Sequence, residues 1–210
     1  MVSGLYIAWA EHLRDRGFVT LLVDSYGPRL LGFLCSTPER DRPIKTDRER
    51  VRDAYGALQY LRERDDVRPD AIGVMGWSNG AQAALWTIAQ SSAPAFRAAV
   101  GFYPSGCARV AEAGWRSAVP LLILVGSADD WTGAQPCLDL GRTANDAGGA
   151  VSTVVYPEAH HAFDAPDWPV RILDEVRLAD GRSPTIGTDP RARADALERV
   201  PAYFRRYLDT

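Results

Sequence analysis

The feature that most restricts the fold of this chain is a series of short, β-rich runs of apolar residues. Each run is nearly continuous rather than alternating with polar residues, and segments with helical spacing separate the runs. Strands of this kind occur in parallel sheets that helices cover on both faces, because no face is left for polar side chains. The chain is therefore predicted to be α/β, with strands at residues 18–23, 71–75, 98–103, 119–125 and 151–156.

Apolar residues at helical spacing predict the intervening helices. Leu5, Trp9 and Leu13 lie four residues apart, and Gly17 follows them as a predicted C-cap. Two stretches rich in Pro, Gly and Asp are predicted loops, 27–43 and 164–190, the second with a short helical piece near 170–178. The remaining helices are predicted at 47–64, 79–90, 135–147 and 191–208, and residues 1–210 are expected to form one domain.

Charge and hydropathy exclude several classes of protein. A composition of 46% hydrophobic and 24% charged residues is that of a globular chain rather than a disordered one. The net charge of −3 lacks the basic excess that binding to nucleic acid phosphates requires. No apolar run approaches the length of about 18 residues that spans a membrane, and the first residues have no signal-peptide pattern.

The cysteine pattern bears on metal binding and on compartment. Cys35, Cys107 and Cys137 are widely spaced, so no paired Cys-x-x-Cys ligands for zinc exist. Free, buried thiols are favoured, although a Cys35–Cys137 or Cys107–Cys137 disulfide stays open. The pattern favours a reducing compartment, and we predict a cytoplasmic protein.

A Gly-x-Ser-x-Gly pattern lies between the predicted strand 71–75 and the predicted helix 79–90. Its sequence, Gly76-Trp77-Ser78-Asn79-Gly80, predicts a sharp strand-to-helix turn that exposes the Ser78 hydroxyl at the carboxyl edge of the sheet. The backbone N–H of Asn79 would then face a developing oxyanion at the start of the helix. The competing interpretation is a structural turn in which Ser78 caps the helix.

A serine nucleophile needs a base, and the base needs a carboxylate that orients it. Asp129 and Asp130 follow strand 119–125, and Asp129 is favoured because it completes Gly-x-x-Asp after that strand. His160 and His161 follow the next strand, and His161 is preferred because it precedes Ala-Phe. The order Ser, Asp, His along the chain is that of α/β hydrolases. The third histidine, His12, is predicted to lie on the surface of the first helix.

Four further residues are candidates for a substrate pocket. Trp77 and Trp131 flank the predicted nucleophile and acid, so they would line an acyl or aromatic pocket, or else pack over the sheet edge. Tyr26 and Arg29 follow the first predicted strand at the same edge and could contact substrate.

These segments together resemble the dienelactone hydrolase family of α/β hydrolases. The resemblance implies that Ser78 is the nucleophile, Asp129 the acid and His161, in the His-x-Phe motif, the base. The segments that resemble the family stand in its order and cover nearly the whole chain: VDSYGPR, RVRDAYGALQYL, GVMGWSNG, GFYPSG, LILVGSADDWT and YPEAHHAF.

The chain also departs from the family. Dienelactone hydrolases proper use a cysteine where this chain has Ser78, and they carry an arginine for the substrate carboxylate where this chain has Ala165. Enzymes of the fold also have a strand before the first helix, followed by a loop that supplies a second oxyanion N–H. We hypothesise that the natural chain starts further upstream, and that without this strand two inner sheet edges are left unpaired.

The sequence therefore predicts a serine hydrolase of carboxylic esters or lactones that acts through an acyl-enzyme and needs no metal or organic cofactor. Its partner would be a small ester or lactone, with neither nucleic acid nor membrane, and a homodimer stays open. Two alternatives remain. One is a catalytically impaired homologue that acts as a binding protein, and the other is a thioesterase or peptidase on the same triad.

Overall fold

The structure is a computed structural model that describes residues 4–32, 34, 37, 39–89, 96–178 and 180–209. Its centre is a four-stranded parallel sheet in the order β1-β2-β3-β4, which is also the order along the chain. The strands are β1 Gly73–Trp77, β2 Ala98–Phe102, β3 Leu121–Gly126 and β4 Val151–Tyr156. The helices are α1 Gly4–Arg14, α2 Glu49–Arg62, α3 Asn79–Thr87, α4 Cys107–Glu112, α5 Gln135–Asp146 and α6 Pro190–Leu208.

Helices cover both faces of the sheet, as predicted for continuous apolar strands. Every residue of β2 and β3 is buried, and neighbouring residues of one strand enter different cores. Val100 packs with α1 and α6, whereas Ala99 packs with α3, α4 and α5. Leu5, Trp9 and Leu13 of α1 are all buried, which confirms the predicted stripe. The predicted α/β class is therefore confirmed.

Residues 18–23 do not form the strand that their sequence predicts. The segment has no regular secondary structure, and Val19 and Val23 are 48% and 47% exposed. A cavity of about 580 Å³ lies between this segment and β1. In the described part of the chain, β1 pairs only with β2, so its other edge faces this cavity. A strand needs a neighbour about 4.8 Å away to complete its hydrogen bonds, and here the cavity takes that place.

The predicted helical piece near 170–178 is also wrong. Two short strands, β5 Arg171–Ile172 and β6 Thr185–Ile186, instead pair in antiparallel fashion. The Asp130 carboxylate accepts hydrogen bonds from the backbone N–H and the hydroxyl of Thr185, which holds β6 against the loop after β3. Leu173 and Val176, two of the apolar residues in the predicted helical piece, pack against Trp131, which lies about forty residues earlier in the chain.

The expectation of free thiols is wrong for two of the cysteines. Cys107 of α4 and Cys137 of α5 form a disulfide, one of the two pairings left open, while Cys35 lies outside the described residues. Disulfides persist mainly in oxidising compartments, so this bond weighs against the inference of a reducing environment. The cytoplasmic location stays a prediction.

We expect thiol titration of the denatured, unreduced protein to detect one of the three cysteines. Removing the bond in a Cys107→Ser/Cys137→Ser variant should lower the free energy of unfolding by about 3–4 kcal/mol. This is the free-energy contribution of loop-closure entropy expected for two cysteines 30 residues apart. Urea unfolding measures the change. Three reactive thiols before reduction would contradict the pairing.

Candidate active site

Ser78 lies on a strained turn between β1 and α3. Its backbone has φ 49° and ψ −117°, a conformation that non-glycine residues rarely adopt. A Cβ on Gly76 would lie 2.3 Å from the carbonyl oxygen of Gly80, so only glycine fits at Gly76. At Gly80 itself a Cβ would meet only the Arg50 guanidinium, at 3.6 Å. Of the two glycines that flank the turn, only Gly76 is therefore required by close packing.

Backbone hydrogen bonds fix this turn to the loop that follows β2. The Ser78 N–H donates to the Phe102 carbonyl (2.9 Å), and the Ser105 N–H donates to the Ser78 carbonyl (3.2 Å). Asn79 is the first residue of α3, where amides have no acceptor one turn earlier in the helix. The positive end of the helix dipole therefore lies beside Ser78, where an oxyanion could accept a hydrogen bond.

A buried carboxylate and imidazole form the second part of the site. His161 Nδ1 lies 2.8 Å from Asp129 Oδ2, and both side chains are almost completely inaccessible to solvent. Asp129 Oδ2 also accepts the Thr132 hydroxyl (2.8 Å), and Oδ1 accepts the backbone N–H groups of Trp131 and Thr132. Because the Nδ1–H of His161 donates to Asp129, Nε2 is the ring nitrogen that is available as a base.

These contacts determine the ionisation of Asp129. Burial opposes the charged form, but the hydrogen bond and charge of His161 outweigh it, together with the Thr132 donors. The pKa of Asp129 is thereby lowered to about 2. The carboxylate is therefore ionised throughout the neutral range, as an orienting acid must be.

The competing acid and bases have other partners. Asp130 binds Thr185, as described above, and His160 Nδ1 lies 3.0 Å from the Ala128 carbonyl. His12, on α1, lies 2.7 Å from the Leu197 carbonyl through Nε2. Of the candidate pairs, the structure brings together Asp129 and His161.

Tyr103, the first residue after β2, packs against the imidazole of His161. It directly follows Phe102, which binds the Ser78 N–H, and its ring centroid is 4.3 Å from that of His161. Among the described residues, no hydrogen bond joins Ser78 Oγ to the His161 ring. Such bonds are often long in unliganded enzymes and tighten only when substrate binds.

The four predicted pocket residues have different environments. The Trp131 ring lies 4.7 Å from the His161 ring, and the Tyr26 hydroxyl donates to Asn79 Oδ1 (3.2 Å). Trp77 borders the cavity, but its ring stacks on Phe102 and its indole N–H donates to Asp164. Arg29 forms a two-bond ion pair with Asp53 and does not border the cavity next to Ser78.

Sequence reasoning missed Asp164, Tyr103 and Arg50. Asp164 is a charged residue with apolar neighbours on both sides shortly after His161, which was a usable signal. Arg50 Nη1 donates to Asn79 Oδ1 (2.7 Å), and its guanidinium lies over the Tyr26 ring. Arg50 carried no sequence signal, because it stands in a helix whose charge run is typical of a solvated surface.

Comparison with known proteins identifies the family of the chain. The model of the dienelactone hydrolase family matches residues 8–208. The chain belongs to the dienelactone hydrolase family. A probable 2-oxo-3-(5-oxofuran-2-ylidene)propanoate lactonase from Bradyrhizobium sp. is 27% identical over 169 residues, which are 73% of this chain and 65% of the relative. The chain thus spans about two thirds of that dienelactone hydrolase relative's length.

Solved structures show the same fold. A dienelactone hydrolase-like promiscuous phosphotriesterase from metagenomic libraries superposes with a TM-score of 0.74 at 19% identity, covering 98% of this chain and 81% of its own. Thermogutta terrifontis esterase 2, phosphoramylated by tabun, superposes with a TM-score of 0.64 at 17% identity, covering 98% and 80%. At such low identity these two structures show the α/β-hydrolase fold alone.

The described ranges contain neither a cluster of metal ligands nor a helix that could span a membrane. No group of three or more His, Cys, Asp or Glu side chains within them could hold a metal ion. Every helix in the same ranges is too short or too polar to cross a lipid bilayer.

The lowered pKa of Asp129 predicts a pH-dependent contribution to stability. Since the folded pKa is about 2 and the unfolded value is near 3.9, ionised Asp129 stabilises the fold above about pH 4 and loses this effect towards pH 2. The difference in unfolding free energy between wild type and Asp129→Asn should shrink by about 2 kcal/mol between about pH 5 and pH 2. Urea unfolding at several pH values measures it.

Val110→Ala is the matched control, because Val110 is buried on the other face of the sheet and does not titrate. Its effect on stability should not change with pH. If the effect of Asp129→Asn on the free energy of unfolding were also independent of pH, that result would argue against an ionised Asp129 paired with His161.

Proposed function

We propose that this chain is a serine hydrolase that cleaves carboxylic esters or lactones, with Ser78 as nucleophile, His161 as base and Asp129 as the orienting acid. The observation that supports this most directly is the buried Asp129–His161 pair after β3 and β4, which lies at the same edge of the sheet as the strained Ser78 turn after β1. Membership of the dienelactone hydrolase family gives independent support.

The reaction follows from the functional groups. Ser78 Oγ attacks the carbonyl carbon as His161 Nε2 takes its proton, and the Asn79 N–H donates to the oxyanion. The intermediate collapses, the alcohol leaves with the proton from His161, and an acyl-Ser78 ester remains. Water, deprotonated by His161, attacks this ester; the acid is released as Ser78 Oγ takes the proton back from His161. A lactone would give one hydroxy acid by the same steps.

The substrate class is narrowed by charge at the Ser78 end of the cavity. The Arg50 guanidinium lies beside Asn79, and among the described residues no carboxylate lies within 4 Å of it as an ion-pair partner. A cation in this position favours esters or lactones that carry a carboxylate. The relative's name, a propanoate lactonase, points to the same class.

Two other functions compete with this one. An inactive homologue that serves as a binding protein would keep the fold but would react slowly, or not at all, with a fluorophosphonate at Ser78. A thioesterase or peptidase would use the same three residues, and only its preference among thioester, amide and ester substrates would distinguish it.

The first test is hydrolysis of p-nitrophenyl acetate by the folded wild type and by Ser78→Ala. Removing the nucleophile should lower kcat by at least about 10³-fold, because the oxyanion donor alone supplies only residual catalysis. Circular dichroism confirms that both proteins are folded. Equal rates in the two proteins would refute the assignment of Ser78, and the binding-protein function would then gain support.

Neighbouring residues provide matched controls for the base and the acid. His161→Ala and Asp129→Asn should each lower kcat by about 10²–10⁴-fold, because the proton acceptor or its orientation is lost. His160→Ala and Asp130→Asn should stay within about threefold of wild type, since their partners are the Ala128 carbonyl and Thr185. The opposite pattern within either pair would reassign that role to the neighbour.

A further inference from the structure

Asp164 is a buried carboxylate that the reaction above does not use. Its side chain is 1% exposed, and it lies three residues after His161. Oδ2 accepts the indole N–H groups of Trp9 (2.7 Å) and Trp77 (2.8 Å), and Oδ1 accepts the Tyr103 hydroxyl (2.7 Å). All three donors are neutral, so the carboxylate is held by hydrogen bonds rather than by an ion pair.

The three donors belong to elements that surround the active site. Trp77 directly precedes Ser78, and its ring stacks on Phe102 at an interplanar angle of 14°. Tyr103 contacts the His161 ring, and its own backbone has the unusual φ of 36°. Trp9 belongs to α1, which covers this face of the sheet. One carboxylate therefore connects the nucleophile's turn, the ring beside the base and the loop that carries the base.

Packing alone does not explain a carboxylate at this position. Burial opposes its ionisation and raises the pKa of Asp164, although the three donors reduce the effect. An apolar side chain would avoid this penalty but would leave two indole N–H groups and a phenol without an acceptor. The carboxylate satisfies all three donors at once, and each bond also restrains the direction of its ring.

We propose that Asp164 is a positioning residue that holds Tyr103 and Trp77 so that His161 and Ser78 stay aligned for proton transfer. This inference rests on the proposed hydrolase function. Asp164 hydrogen-bonds to neither Ser78 nor His161 and acts only through the two aromatic side chains. Burial and the Asp164 charge raise the pKa of Tyr103, so its hydroxyl stays protonated and donates.

Asparagine is the conservative replacement, and the geometry explains why. Its carbonyl oxygen can accept from both indoles at the position of Oδ2, and its NH₂ can donate to the Tyr103 oxygen at the position of Oδ1. The connections between the rings then persist without the charge. Alanine removes all of them. A positioning role therefore predicts that Asn, unlike Ala, preserves the reaction rate.

The test compares kcat and KM for p-nitrophenyl acetate in Asp164→Ala and Asp164→Asn, assayed well below their melting temperatures. Asp164→Ala should lower kcat by about 10–100-fold with KM within about twofold, since misalignment by a fraction of an ångström affects chemistry more than binding. Asp164→Asn should recover most of that loss. Val110→Ala, which weakens the core on the other face, should change neither constant.

Several outcomes would overturn the inference. The first is an unchanged kcat in folded Asp164→Ala. The second is a change in KM alone. The third is a kcat that falls only in proportion to the fraction of unfolded protein. If Asp164→Ala does not fold, Tyr103→Phe decides, because it keeps the ring against His161 and removes only its hydrogen bond. Tyr103→Phe should lower kcat at least threefold. A kcat equal to that of the wild type would refute the positioning role of Asp164. Ser78→Ala, assayed in parallel, separates a failure of the hydrolase function from a failure of this inference alone.

Discussion

The structure depends on a parallel sheet that helices cover on both faces. Because all four strands run in one direction, their carboxyl ends meet at one edge, and the loops that follow them lie side by side. Ser78 follows β1, Tyr103 follows β2, Asp129 follows β3 and His161 follows β4. Residues up to 83 positions apart in sequence thus lie at the same edge of the sheet.

Two buried aspartates at this edge show how environment decides ionisation. Burial disfavours the charge on both Asp129 and Asp164. At Asp129 the hydrogen bond and charge of His161, with the Thr132 donors, outweigh burial and lower the pKa, whereas the neutral donors of Asp164 do not outweigh burial and its pKa is raised. The first arrangement suits an orienting acid, and the second suits an acceptor that organises aromatic rings around it.

Local sequence predicted the elements whose burial follows directly from the spacing of their apolar residues. The strands that became β1 to β4 and the stripe of α1 were predictable, because apolar spacing reports burial directly. Residues 18–23 have an equally good strand pattern, yet the cavity beside them leaves their backbone without a neighbour. Residues 170–178 do not form the predicted helix, because Leu173 and Val176 pack against Trp131, which lies about forty residues earlier in the chain.

The sequence by itself determined the fold class and narrowed the candidate triad to Ser78, one of two neighbouring aspartates and one of two neighbouring histidines, because a glycine-flanked serine and strand-end Asp and His residues are local patterns. Only the tertiary structure distinguished Asp129 from Asp130 and His161 from His160, since each choice depends on which partner lies within 3 Å. It alone paired Cys107 with Cys137 and gave Asp164 its three donors. These contacts join separate elements, and the spacing of residues along one element contains no information about them.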